Sequence, residues 1–126
     1  MRVVNKTKKT LLASNARVAD KMIKRIRGLL GKESLNPGEG LVIIPCSSIN
    51  TFGVRFPLDA IFFDGNRKAL KVVKNIKPNR ISGWYPKARG VVELPAGTLD
   101  EWPVDPGDQL EITASAWAPR PVTGKG

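Results

Sequence analysis

The 126-residue chain contains no histidine and a single cysteine, Cys46. Without histidine there is no Ser-His-Asp or Cys-His pair, no His-ligated metal centre and no imidazole to shuttle protons near neutral pH. One cysteine excludes an internal disulfide and any multi-cysteine zinc or iron–sulfur site. Long hydrophobic runs are also missing. The longest, Leu41-Val-Ile-Ile-Pro-Cys46, falls far short of a bilayer span. Met1-Arg-Val-Val-Asn-Lys6 turns polar too early to supply a signal-peptide core. A cytoplasmic location is therefore expected, and an unpaired Cys46 suits a reducing compartment. What remains is oxygen, amine and lone-thiol chemistry, or binding alone. No metal and no cofactor is expected.

Positive charge is present in excess: 21 Lys plus Arg against 11 Asp plus Glu, a net charge of +10. It is unevenly laid out. Residues 1–32 carry ten bases and one acid, Asp20, and residues 55–89 carry nine bases and two acids. The last third, residues 90–126, is acidic. Such asymmetry suggests an anionic partner: nucleic acid, an acidic lipid surface, or a phosphorylated or carboxylated ligand. A chain of this length forms one hydrophobic core. Residues 1–117 are read as a single globular domain. The end, residues 118–126, has too little apolar surface to order itself and is read as a disordered tail.

Periodicity predicts mostly strands. Arg2–Asn5 is a short strand, Lys6–Lys9 a turn and Thr10–Ala19 a second extended segment. Leu41–Ile44 is apolar on both faces, as a central strand would be. Ser48–Phe52 alternates, Leu58–Phe63 is a further strand, and Asp64-Gly-Asn66 is a hairpin turn. Lys68–Ile76 is expected to place Leu70, Val72 and Ile76 on one face. Val91–Leu94 and Gln109–Ser115 complete the strands, with a helical turn at Thr98–Trp102 and a tight turn at Asp105–Asp108. The one substantial helix is Lys21–Leu30. Met22, Ile23, Ile26, Leu29 and Leu30 form its apolar stripe, Asp20 is its N-cap and Gly31 its stop. The class predicted is α+β: a β-rich, mostly antiparallel sheet or small barrel-like domain with one amphipathic helix.

Three places carry potential chemistry. Lys21, Lys24, Arg25 and Arg27 share the polar face of the predicted helix and would suit a phosphate backbone. In Arg80–Arg89, the bases Arg80, Lys87 and Arg89 interleave with Trp84 and Tyr85, as in a stacking platform. The two aromatics would equally well cover one end of the sheet, while Phe52, Phe56, Phe62 and Phe63 lie in strands that read as core. The third place is Cys46–Asp64. Asp59 sits there in a run that is apolar on both sides, so its carboxylate must find Arg55, a nest of backbone amides, or Asn50 and Thr51. It would then act as a ligand contact, a general base, or a pin for the neighbouring turn. A P-loop is absent, because Gly31-Lys32 is followed by Glu33 and lacks the upstream glycine.

Several segments occur together in order: Arg27-Gly-Leu-Leu30, Gly38-Glu-Gly-Leu41, Ser48-Ile-Asn-Thr-Phe-Gly-Val-Arg-Phe-Pro-Leu-Asp59, Phe62-Phe-Asp64, Val92-Glu-Leu-Pro-Ala-Gly97 and Gly107-Asp108. From about Val3 to Ile112 the chain resembles the family known as domain of unknown function 192. The resemblance implies a shared shape but no activity, since the family has none established. Relatives usually read Ile-His-Thr-Phe-(Gly/Phe)-Met where this chain has Ile49-Asn-Thr-Phe-Gly-Val54. Asn50 thus stands where the family has histidine, and it hydrogen-bonds but exchanges no proton at neutral pH. Many relatives also carry an export segment.

Three functional readings follow. The first is a non-catalytic binding module holding a polar or anionic ligand near Asn50, Thr51, Arg55, Asp59 and Glu93. The second is an enzyme with Asp59 or Glu93 as carboxylate base and Arg55 on an anionic substrate. The third is nucleic-acid binding through the basic helix and the 80–89 loop.

Overall fold

The computed structural model describes residues 1–19 and 35–114. The amphipathic helix predicted at Lys21–Leu30, with its basic face, and the tail at 118–126 lie outside the described residues. Within them the strands are β1 (Arg2–Asn5), β2 (Thr10–Ala13), β3 (Asn15–Ala19), β4 (Glu39–Ile43), β5 (Leu58–Phe63), β6 (Ala69–Ile76), β7 (Gly90–Pro95) and β8 (Leu110–Thr113). A single helical turn, α1 (Thr98–Glu101), lies between β7 and β8. The chain is α+β and β-rich, as its periodicity predicts. It forms two open sheets rather than a barrel: a three-stranded sheet ordered β2-β1-β8 and a five-stranded sheet ordered β3-β4-β7-β5-β6. All pairs are antiparallel except β3 with β4.

The five-stranded sheet is buried on both faces, so β5 and β7 read as near-continuous apolar runs. On one face Val42, Ile61, Phe63, Val92 and Leu94 pack against Val3, Leu12 and Leu110 of the smaller sheet. On the other, Leu41, Ile43, Leu58, Ala60, Phe62 and Val91 are covered by Ile49, Val54 and Phe56, with Cys46, Tyr85 and Ala88 packed alongside. Two loops, 46–57 and 77–89, therefore close the second face. Their covering is part of the core.

Three sequence expectations change. The extended segment Thr10–Ala19 breaks at Ser14, because the amides of Ser14 and Asn15 both donate to the Gly38 carbonyl, at 3.0 and 2.9 Å. That corner sends β2 to one sheet and β3 to the other. Ser48–Phe52 is not a strand of either sheet; it runs beside the 80–85 segment through an isolated antiparallel bridge, Asn50 with Ile81. In β6 the register slips, so that Leu58 faces Ile76 while Ala60 faces Val73. Asn75 takes φ 54° in this bulge. The extra residue flips the alternation. Val72 consequently packs on the first core and Ile76 on the second, not together.

The turn before β8 is fastened by Asp108, a mostly buried carboxylate. Its Oδ2 accepts from Asn5 Nδ2 at 2.9 Å, Lys8 Nζ at 2.6 Å and the Asp105 amide at 3.0 Å. Lys8 also donates to Asp105 Oδ2 at 2.7 Å. Burial pushes the Asp108 carboxyl up, but the Asp105 amide, Lys8 and Asn5 together outweigh it and hold it below its ordinary 3.8. Lys8 is raised above 10.5, chiefly by its bonds to Asp105 and Asp108.

Two outcomes are expected. A carboxyl depressed in the folded state stabilises above its unfolded pKa and loses that contribution as pH falls through the folded value. Wild type should therefore exceed Asp108→Asn in urea midpoint at pH 7, and the gap should close as pH drops below the usual carboxylate range. Gly90→Ala should cost about 1–3 kcal/mol in the same assay. A β-carbon there would lie 2.6 Å from Phe63 Cζ and 2.7 Å from the Ile43 carbonyl.

Candidate functional site

Asp59 lies in β5 between β7 and β6, opposite Leu94, and is 1% exposed. It finds none of the side chains Arg55, Asn50 or Thr51; of the three kinds of partner its burial demands, it takes the backbone nest. Oδ1 accepts the Asn75 amide at 2.8 Å, and Oδ2 accepts the amides of Gly97 at 3.1 Å and Leu99 at 2.9 Å. Each bond answers a local need. The β6 bulge leaves the Asn75 amide out of the ladder. The first amides of α1 have no intrahelical acceptor, and Gly97 at its N-cap position has no side chain to supply one. One carboxylate from a neighbouring strand serves both.

Glu93 is fully buried in β7, where it faces Leu41 on one side and Ala60 on the other. Those neighbours belong to the second core, whereas Leu94, opposite Asp59, belongs to the first. Asp59 and Glu93 therefore project from opposite faces of one sheet. They are not brought together. The alternation of side chains across a strand decides this, because 59 pairs with 94 and 60 with 93.

Thr51 is buried and works as a clamp. Its Oγ1 donates to the Lys77 carbonyl at 2.6 Å and accepts the Arg80 amide at 2.9 Å. Its own amide donates to the Arg80 carbonyl at 2.8 Å, and its carbonyl accepts from Asn79 at 3.2 Å. Asn50 is half-buried; its Oδ1 accepts the Phe52 amide at 3.2 Å. It lines a cleft of about 280 Å³ whose walls include Ile43, Cys46, Ser48 and Ile49. Thr51, Arg55, Asp59 and Glu93 do not line that cleft, and Arg55 is exposed. Cys46 donates its thiol to the Ser48 carbonyl at 3.1 Å.

The two loops are joined by a short ladder. The Ser82 amide donates to the Ile49 carbonyl and the Tyr85 amide to the Ser47 carbonyl, each at 2.9 Å. Trp84 and Tyr85 divide the two roles their sequence left open. Tyr85 packs inward, its ring 4.7 Å from that of Phe62 and its hydroxyl donating to the Ser82 carbonyl at 2.8 Å. Trp84 stays outside, 69% exposed. Of the four phenylalanines read as core, Phe56, Phe62 and Phe63 are buried, but Phe52 is 54% exposed. The reason is a turn: the Val54 amide closes onto the Thr51 carbonyl at 3.1 Å, with Gly53 at φ 83°. Phe52 occupies the second position of that turn, at a loop tip. The Thr51-Phe-Gly-Val54 string held the signal, since a glycine after Phe52 marks a turn more strongly than alternation marks a strand.

Ile81, 66% exposed, completes an outward set with Phe52 and Trp84. In the same two loops and at their ends, Arg55, Lys77, Arg80, Lys87 and Arg89 are also exposed. Residues 44–58 and 65–92 contain no Asp or Glu at all. Lys77, Phe52 and Ile81 are thus added to the residues that the sequence picked out.

A β-rich α+β domain of two stacked open sheets, closed on one side by an acid-free loop pair, is the class of protein these features define. The chain belongs to the family DUF192, described as Uncharacterized ACR, COG1430, whose model matches residues 3–112. It is similar to the UPF0127 protein of Pyrococcus horikoshii, 33% identical over 117 residues that cover 86% of this chain and 96% of that one. The UPF0127 protein of Thermococcus sibiricus is 29% identical over 116 residues, covering 86% of this chain and 73% of that protein. A protein of unknown function from Novosphingobium aromaticivorans shares the fold, with a TM-score of 0.73 at 19% identity, over 88% of this chain and 82% of its own.

Replacing Asp59 tests its assignment as scaffold. Asp59→Ala strands three amides and should lower stability by about 3 kcal/mol or more in urea unfolding. Asp59→Asn keeps one acceptor but turns an NH₂ towards a donor, and should cost about 1–3 kcal/mol.

Proposed function

We propose that the chain is a non-catalytic binding module that holds an anionic ligand on the face made by loops 46–57 and 77–89. The carrying observation is the composition of that face: five exposed cations, no acid in either loop, and three large apolar side chains left outside the core. An exposed cationic surface with no interspersed acid draws a polyanion over several ångströms and loses it as salt rises. Catalysis by a carboxylate base is less well supported by the geometry. Asp59 spends both oxygens on backbone amides, and Glu93 lies on the opposite face of the sheet. No described helix is long and apolar enough to cross a membrane.

Immobilised heparin provides the direct test. Arg80→Glu and Lys87→Glu should elute at clearly lower salt than Arg2→Glu, which makes the same charge change at an exposed position of the smaller sheet. Equal shifts for all three variants would mean that net charge alone is being read, and would end the proposal. So would a failure of the wild type to be retained at low salt.

A further inference from the structure

We infer that the anionic ligand of the loop face is single-stranded nucleic acid, with Trp84 and Phe52 as stacking platforms for unpaired bases; this rests on the binding reading above. Leaving these side chains outside the core exposes apolar area to water at a cost in free energy. Phe52, Ile81 and Trp84 are more than half exposed, while Tyr85, beside Trp84 in the chain, is folded onto Phe62. The loop has an inward place for one aromatic and presents the other to solvent.

Their layout follows the ladder between the two loops. Thr51 meets Arg80 at one end of the two-segment ladder, and Ser47 meets Tyr85 at the other. Phe52 follows Thr51, Ile81 follows Arg80, and Trp84 precedes Tyr85. The apolar side chains are therefore distributed along the ladder, which spans roughly 15 Å at the rise of an extended chain. Cations accompany them at both ends, Lys77 and Arg80 at one, Lys87 and Arg89 at the other. A bilayer surface is best met by apolar residues gathered at a single tip. A strip of flat rings with flanking cations matches an extended polymer that offers a π-face and a phosphate at each repeat. Duplex DNA offers the phosphates but keeps its bases stacked inside.

The experiment measures binding of labelled oligo(dT) to the full chain by fluorescence anisotropy, against a duplex with the same number of phosphates. Oligo(dT) should bind about tenfold more tightly than the duplex, with log affinity falling linearly in log salt. Trp84→Ala should weaken oligo(dT) binding at least about fivefold and leave duplex binding unchanged, while Trp84→Phe restores most of the loss. The exposure of Trp84 makes these variants compatible with the fold, which an unchanged urea midpoint would verify. Equal affinity for duplex and single strand, or a Trp84→Ala variant that binds oligo(dT) as wild type does, would overturn the inference while retention on heparin kept the broader reading. Binding to phosphatidylserine vesicles without binding to oligo(dT) would also overturn it, and would assign the face to a lipid surface.

Discussion

The carboxylate of Asp59 is the constraint around which the larger sheet is arranged. A bulge in β6 and the start of α1 both leave backbone amides without acceptors, and both lie against the same point of β5. An apolar residue there would take the acceptor from three amides, that of Leu99 in the buried interior, at a cost comparable with a sizeable part of a small domain's stability. With Asp59 in place, the bulge can shift β6 by one residue and send Ile76 to the second core. The second face of the sheet, and hence the loops that cover it, depend on that shift.

Those loops show how a covering element acquires a surface of its own. Ile49, Val54, Phe56 and Tyr85 face inward and close the core. Thr51 ties the loops to each other with hydrogen bonds on both its side chain and its backbone. Once these are fixed, the residues between them must point outward. Phe52, Ile81 and Trp84 are thus carried on loops tied to each other by hydrogen bonds rather than on free ones. No Asp or Glu lies in these stretches, so their cations have no acid partner within their own loops.

Asn50 links this surface to the family. In this chain it stands where the resemblance leads one to expect histidine, and it turns the chain into the Phe52 tip by accepting the Phe52 amide. It also forms part of the wall of the neighbouring cleft. An amide fills both roles without changing charge near neutral pH. The position therefore holds the loop's shape in this chain without providing a titrating group.

Much of the fold could be read directly from residues. Strict alternation and double-sided apolar runs placed β1, β4, β5 and β7, and Asp64-Gly-Asn66 and Asp105–Asp108 announced their turns by chemistry that acts over four residues. That Asp59 must be satisfied was also legible, because burial of a carboxylate always requires partners. Its partners were not, since Asn75, Gly97 and Leu99 meet it only after β5, β6 and β7 have paired. The same limit split the proposed set of site residues: pairing 59 with 94 and 60 with 93 puts Asp59 and Glu93 on opposite faces, and no local pattern carries that register. The absence of histidine, the surplus of cations and the turn residues are properties of the chain alone. Which aromatic is buried and which backbone amides the Asp59 carboxylate takes were decided by tertiary structure, because each depends on contacts between segments distant in sequence.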